Sequence, residues 1–289
     1  MERPRSMRVA RDAEGLAGLA GGVFVPTMGA LHEGHASLIR AARARAGGSL
    51  PVVVSVFVNP TQFNDPADYE RYPRTLDADA ALCGAAGADC VFSPPTEVVY
   101  PPGAPALVPA LPPEATEPGL EDRFRPGHFA GVCRVVRRLF DLVRPSVAIF
   151  GEKDWQQAAV VRAMAARDTP WVEILTGPTV READGLALSS RNRFLTAEDR
   201  RAALSLGAAL RTAGRERSPA DAEAAMRRVL TGAGVTVEYA AVRRADSLLP
   251  FADPASPRAG GDPPGRALIA GLAGAVRLID NAAWPGGQA

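Results

Sequence analysis

Two imidazoles three residues apart, His32 and His35, close the stretch Pro26-Thr27-Met28-Gly29-Ala30-Leu31-His32-Glu33-Gly34-His35, which follows the apolar run Val23 to Val25. Such a run reads as a buried strand, and the carboxyl ends of strands in open α/β sheets are where ligands bind. Gly29 and Gly34 let the backbone come close to a ligand, and a helix starting near His35 directs free N–H groups and a positive dipole end outward. Both rings can donate to phosphate oxygens, and either can become cationic near neutral pH at little cost. A reaction that gathers negative charge on a triphosphate gains from such donors. Two other readings stand beside this one: a metal pair, which lacks the HExxH spacing and a nearby third ligand, and histidines satisfied within the fold.

The second chemical signal is a scarcity. Of 33 basic residues one alone is lysine, Lys153, and the rest are arginine. Where arginine serves every ordinary basic role, a lone lysine marks a place that needs a compact point charge in place of a planar guanidinium. Lys153 stands in Gly151-Glu152-Lys153-Asp154, directly after the apolar run Val147 to Phe150. At that strand-to-helix turn the ammonium can neutralise phosphate, while Asp154 can accept from ribose hydroxyls or cap the next helix. Ser189-Ser190-Arg191 combines hydroxyls, backbone N–H groups and a guanidinium, a set that suits a triphosphate on a loop able to close; taken alone it is also compatible with an ordinary surface loop.

The elements that must carry these residues alternate as strand and helix, the pattern of a parallel sheet wrapped by helices. Strands are predicted at 23–25, 52–58, 90–92, 147–150 and 172–175, with helices at 35–45, 76–86, 127–143 and 154–168. Val132, Val135, Val136, Leu139, Leu142 and Val143 recur at three- and four-residue intervals, which makes 127–143 amphipathic. The proline-rich stretch 94–119 reads as a long loop at the working edge of the sheet. Beyond Thr179 come helices at 197–212 and 219–230 and strands at 235–242, 267–270 and 277–279, with a surface loop at 250–265.

Length and composition bound the rest. At 289 residues with 47% apolar side chains, the chain fits two domains of ordinary size with a sizeable core. A net charge of +1 gives no reason to invoke nucleic acid or an anionic membrane as partner. No apolar stretch approaches the roughly 20 residues of a membrane span. Arg3, Arg5 and Arg8 precede an Ala/Gly/Leu-rich run that Asp12 and Glu14 interrupt, so an amphipathic first helix is expected there in place of an export signal. Cys83, Cys90 and Cys133 are odd in number without CxxC spacing, which points to buried free thiols in a reducing, cytoplasmic compartment.

The ten-residue string around the two histidines carries the HxGH signature of a nucleotidyltransferase superfamily, and the whole set of motifs resembles the pantothenate synthetase family. The resemblance also rests on Val58-Asn59-Pro60-Thr61-Gln62-Phe63, Arg71-Tyr72-Pro73-Arg74-Thr75, Arg125-Pro126-Gly127-His128-Phe129, Gly151-Glu152-Lys153-Asp154, Gly185-Leu186-Ala187-Leu188-Ser189-Ser190-Arg191-Asn192 and Arg277-Leu278-Ile279-Asp280-Asn281. It implies that Met28, Gly29, Ala30, Leu31, His32, Glu33, Gly34 and His35 embrace ATP, with His35 as the acid that assists the transition state and His32 on phosphate. It further implies ATP contacts from Gly151, Glu152, Lys153, Asp154, Val180, Leu188, Ser189, Ser190 and Arg191. Gln62 and Gln157 would bind pantoate and beta-alanine through neutral amides; both positions can face a ligand above the sheet, although a lone glutamine is more often plain surface. The family places an acidic cluster after RYPRT; here Asp77 and Asp79 flank Ala78, which leaves Asp79 as the magnesium ligand or as part of a solvated helix face.

The expectation is therefore an α/β protein: a Rossmann-like parallel-sheet domain over residues 1–178 and a smaller C-terminal α/β lid over 179–289. The expected activity is an AMP-forming ligase that uses ATP with magnesium to join (R)-pantoate and beta-alanine through an acyl adenylate, in a homodimer. Two alternatives remain open from the residues: a nucleotidyltransferase that acts on a phosphorylated substrate, and a nucleotide-binding module without catalysis.

Overall fold

Runs such as Val52-Val53-Val54 and Val23-Phe24-Val25 are apolar on both sides of the strand, so they are stable only with both sheet faces covered. In the computed structural model, which describes residues 7–63, 66–105, 107–256 and 263–284, they are the middle of a six-stranded, all-parallel sheet. Along the chain the elements of this part are β1 (Arg8–Ala10), β2 (Val23–Thr27), α1 (Glu33–Ala46), β3 (Val52–Val56), α2 (Pro66–Arg71), α3 (Leu76–Ala86), β4 (Cys90–Phe92), α4 (Thr96–Val99), α5 (Glu121–Phe124), α6 (His128–Val143), β5 (Val147–Gly151), α7 (Trp155–Asp168) and β6 (Glu173–Gly177). The strand order is β1-β4-β3-β2-β5-β6. Alternate residues of each strand feed separate cores: Val23, Val25, Val52, Val54 and Ile149 pack with α1 and α3, whereas Phe24, Val53, Phe92 and Phe150 pack with α6 and α7.

This order fixes where a ligand belongs. From β2 the chain moves outward through β3 and β4, then returns to lay β5 on the other side of β2. The crevice between the carboxyl ends of β2 and β5 is thus the switch point, and the loops that open there are the histidine loop after β2 and the Lys153 turn after β5.

The second part contains α8 (Ala197–Ala203), α9 (Ser205–Ala213), α10 (Pro219–Gly232) and an antiparallel sheet of β7 (Thr236–Arg244), β8 (Gly265–Ala273) and β9 (Val276–Trp284), in that order. One sheet face is covered by α9 and α10 through Leu206, Leu210, Met226 and Leu230. The other face, through Tyr239, Leu268 and Ala270, packs on Leu120 and on Ala159 of α7.

Three expectations change. Among the described residues the first helix is replaced: Arg8–Ala10 is an edge strand paired in parallel with β4, followed by a 3-10 turn at Glu14–Leu16. Gly18 and Gly21 sit at φ +77°, a conformation that ends helical growth; Arg3 and Arg5 lie outside the described residues. The stretch 94–119 carries the short α4 and a 3-10 turn at Pro113–Ala115 among its prolines. The long helix expected over 197–212 is divided at Leu204 into α8 and α9. All three cysteines are buried free thiols. Among the described residues no helix is long and apolar enough to cross a membrane.

Candidate active site

At the switch point the histidine loop is built by its own side chains. His32 is the N-cap of α1 in extended conformation, and its Nδ1 accepts the Gly34 N–H at 3.2 Å. The His35 Nδ1 reciprocates by accepting the His32 N–H at 3.2 Å, so two histidines form the capping box that serine and glutamate more often supply. Gly34 leaves room for this ring, because a Cβ there would stand 2.9 Å from the His32 Cε1 and force the ring to shift. With each Nδ1 used as an acceptor, a neutral ring carries its proton on Nε2.

The rings are neutral for a second reason. Burial lowers the His35 pKa to about 3, with the neighbouring His32 adding to the shift, and burial followed by the Lys153 charge lowers that of His32. The sequence-based expectation that either ring charges easily near neutrality is corrected: in the free protein both are neutral Nε2–H donors, and the ammonium of Lys153 supplies the local positive charge. Lys153 is mostly covered, at 18% side-chain exposure, with Nζ 3.9 Å from the Asp154 carboxylate.

These groups share one cleft of about 240 Å³. Of the residues singled out from the sequence, Met28, His32, Gly34, His35, Gln62, Gly151, Lys153, Asp154, Gln157, Val180, Leu188, Ser189, Ser190 and Arg191 line it. The loop that carries Val180 and Leu188 closes on itself through the Leu188 N–H to Val180 carbonyl bond of 3.0 Å. Ser189 caps the turn that follows by accepting the Arg191 N–H at 3.2 Å.

Six others do not line the cleft. Asp79 is 2% exposed, and its two oxygens accept the N–H groups of Leu31 at 2.8 Å and Ala30 at 3.1 Å. Thr75 adds a hydroxyl at 3.3 Å, so the buried carboxylate, which does not line the cleft, serves as an internal anchor for the loop. Gly29 borders a separate cavity with Asp79, and Ala30 is buried at φ +52°. The Leu31 backbone is held by Asp79, exposed Glu33 pairs with Arg40, and Glu152 turns toward Arg266 and Thr176. The backbone of Gly29, Ala30 and Leu31 shapes the site without facing it.

At the other end, Gln62 is held from two sides. Asn59 donates to its Oε1 at 3.0 Å and to the Gly131 carbonyl at 3.1 Å, while its own Oδ1 accepts from Thr61 and Tyr100. Arg125 can only donate, so the His128 Nε2 accepts from it at 3.1 Å, and the His128 Nδ1–H donates to the Gln62 carbonyl at 3.1 Å. Burial, with help from Arg125, lowers the His128 pKa to about 4 and keeps that tautomer neutral. Behind the two glutamines α6 presents Val132, Val135, Val136 and Leu139 as an apolar wall. Tyr72, Arg125, His128 and Asn59 therefore belong to the site, although the sequence reading gave them no role. Their presence in the RYPRT, RPGHF and VNPxQF strings was the available signal.

Comparisons with known proteins agree with this geometry. Residues 3–283 match the family model described as pantoate-beta-alanine ligase. A pantothenate synthetase of Rubrobacter xylanophilus is 46% identical over 99% of this chain and 98% of its own length. One of a Nocardioides species is 49% identical over 89% of this chain and 77% of its own. The crystal structure of pantothenate synthetase from Thermus thermophilus superposes with a TM-score of 0.86 at 43% identity, covering 96% of this chain and 99% of that one. A pantoate-beta-alanine ligase from Francisella tularensis, complexed with beta-gamma ATP and beta-alanine, gives a TM-score of 0.75 at 31% identity, covering 96% and 98%. With one cleft at the switch point, the motif set and a match across nearly the whole chain, the protein belongs to the pantoate-beta-alanine ligase family.

Proposed function

We propose that the chain condenses (R)-pantoate with beta-alanine at the expense of ATP, through a pantoyl adenylate, giving pantothenate, AMP and pyrophosphate. The observation that carries this reading is the polarity of the cleft. His32, His35, Lys153 and Arg191 line the same cleft as two neutral glutamines and the apolar wall of α6, and this reading assigns the first group to the nucleotide and the second to pantoate.

Pantoate has a carboxylate, two hydroxyls and a quaternary carbon. The amides of Gln62 and Gln157 suit the oxygens, and the valine-rich face of α6 suits the methyl groups. In the first step a carboxylate oxygen attacks the α-phosphorus and the bond to the β-phosphate oxygen breaks. Nε2–H donors of His32 and His35 meet the equatorial oxygens of that phosphate, and the Lys153 ammonium neutralises charge moving onto pyrophosphate. In the second step the beta-alanine amine attacks the acyl carbon, and AMP leaves with the former carboxylate oxygen. No side chain becomes covalently attached, so rate enhancement comes from positioning and from charge stabilisation. The role expected for His35 changes accordingly, from acid to neutral donor.

Magnesium belongs to the proposal as companion of the triphosphate. Asp79 does not fit it, since its oxygens are committed to the loop, and among the described residues no group of three His, Cys, Asp or Glu side chains is arranged to hold a metal. The ion would be held by phosphate oxygens and water, and no step is routed through it. Residues 179–289 act in this reading as a lid, with the boundary just after β6, and the protein works as a cytoplasmic homodimer. Sedimentation velocity tests the dimer. Against a transferase for phosphorylated substrates stands the Gln62 end of the cleft, where Arg125, the guanidinium beside the neutral amides, is already paired with Glu121 at 3.5 Å. The decisive assay mixes ATP, pantoate and beta-alanine: equimolar AMP and pantothenate support the proposal, and ADP overturns it.

A further inference from the structure

The turn that presents Lys153 lacks internal support. Gly151 and Asp154, which precede its 3-10 segment and α7, make no side-chain cap. Its carbonyls are held instead from 128 residues away in sequence, by Asn281 on β9, whose Nδ2 donates to the Glu152 carbonyl at 3.0 Å and to the Lys153 carbonyl at 2.8 Å. The amide is itself fixed, because its Oδ1 accepts from the Arg266 Nε at 2.7 Å. Arg266 in turn reaches the Glu152 carboxylate at 3.2 Å and lies 3.7 Å over the Trp155 ring. Asn281 and Arg266 are both buried, and neither lines the cleft of the two histidines. The preceding residue, Asp280, pairs with Arg181 at 2.7 and 3.0 Å, next in sequence to Val180, which lines that cleft.

A lysine ammonium swings on a four-carbon stem from its Cα, so the turn that holds that Cα sets the volume within which the charge can fall. We propose that Asn281, locked by Arg266, is a positioning residue for the Lys153 ammonium, and that the C-terminal sheet thereby sets how the only lysine of the chain meets the nucleotide. The inference rests on the reading of Lys153 as the phosphate-neutralising cation.

The test is a double-mutant cycle on AMP release, using Asn281→Asp in the wild-type and Lys153→Ala backgrounds. Asn281→Asp is nearly isosteric and keeps an acceptor for Arg266, but it removes the donor to the two carbonyls. In the wild-type background kcat should fall about 10- to 100-fold, the scale of a small misplacement of a reacting group. The KM for pantoate should stay unchanged. In the Lys153→Ala background the same substitution should cost almost nothing further, because the group through which it acts is gone. Equal losses in both backgrounds, or wild-type kcat for Asn281→Asp, overturn the positioning role while the reading of Lys153 stands. Wild-type turnover by Lys153→Ala overturns that reading itself. Non-additivity with Lys153 is a readout that general damage to the sheet does not produce.

Discussion

His32 and His35 brace one another across the first turn of α1, with ring centroids 4.2 Å apart and each Nδ1 tied to the backbone of that turn. The HxGH spacing has a structural role as well as a chemical one: His32 is the N-cap, His35 is the third helical residue, and of the two residues between them Gly34 is the one whose Cβ would press on the His32 ring. What reaches the cleft from this arrangement is a pair of Nε2–H donors whose direction is fixed before any nucleotide arrives.

Replacing His35 removes one donor and one half of the capping box together. The variant His35→Gln keeps an amide donor and acceptor on a flexible chain, and His35→Ala keeps neither. Steady-state kcat should drop about 100- to 1000-fold for His35→Ala, the usual cost of a lost transition-state donor, and by less for His35→Gln. Equal kcat for wild type and His35→Ala would remove His35 from the mechanism.

Lys153→Arg tests the lone lysine without changing formal charge. A planar guanidinium cannot take the place of a compact ammonium on this turn, so kcat should remain far below wild type, with a melting temperature close to it. Full activity in Lys153→Arg would mean that the single lysine is an accident of composition.

Acid should destabilise the protein through its buried neutral imidazoles. The pKa values of His35 and His128 fall to about 3 and about 4 in the folded chain, below the roughly 6.5 of an exposed histidine. Between those limits the unfolded chain binds more protons, so this contribution is complete above about pH 6.5 and is lost as pH falls toward the folded values. Thermal melts from pH 7 to pH 4 should show a falling melting temperature with a shallower slope in His35→Gln. Parallel slopes would contradict the assignment.

Gly131 is the place where α6 touches the turn bearing Gln62. A Cβ there would stand 2.8 Å from the Gln62 Cα and 2.6 Å from the Thr61 carbonyl carbon. The Gly131→Ala change should push that turn aside at an overpacking cost of about 1–3 kcal/mol. It should raise the KM for pantoate about 10-fold, within that range, with little change in the KM for ATP. A rise confined to ATP would place pantoate elsewhere.

Asp79→Asn exchanges one acceptor for a donor in front of two backbone N–H groups, leaving one of them unsatisfied at about 1–3 kcal/mol. Loosening of the histidine loop should lower kcat, while the magnesium concentration for half-maximal activity stays where it is in the wild type. A large increase in that concentration would return Asp79 to the metal.

The strands around the switch point were readable because β-branched runs such as Val52 to Val54 are apolar on both faces, and α6 because its apolar residues recur at helical spacing. The cleft residues on short local motifs were readable for the same reason: Ser189 and Arg191, or His32 and His35, act within a few residues of one another. The anchoring role of Asp79 is not legible in sequence, because a carboxylate on the first turn of a helix looks the same whether it faces solvent or the N–H groups of Ala30 and Leu31, 49 and 48 residues away. Arg266 and Asn281 had no local signal either, since their partners lie at Glu152 and Lys153 and only the packing of β8 and β9 against α7 brings them together.

The central claim is that a pantoate carboxylate oxygen attacks the α-phosphorus, and the fate of that oxygen tests it. Pantoate labelled with oxygen-18 in its carboxylate is turned over with ATP and beta-alanine, and the products are weighed by mass spectrometry. The expected result is AMP carrying one labelled oxygen beside unlabelled pyrophosphate. Unlabelled AMP, or label in inorganic phosphate beside ADP, would contradict the account.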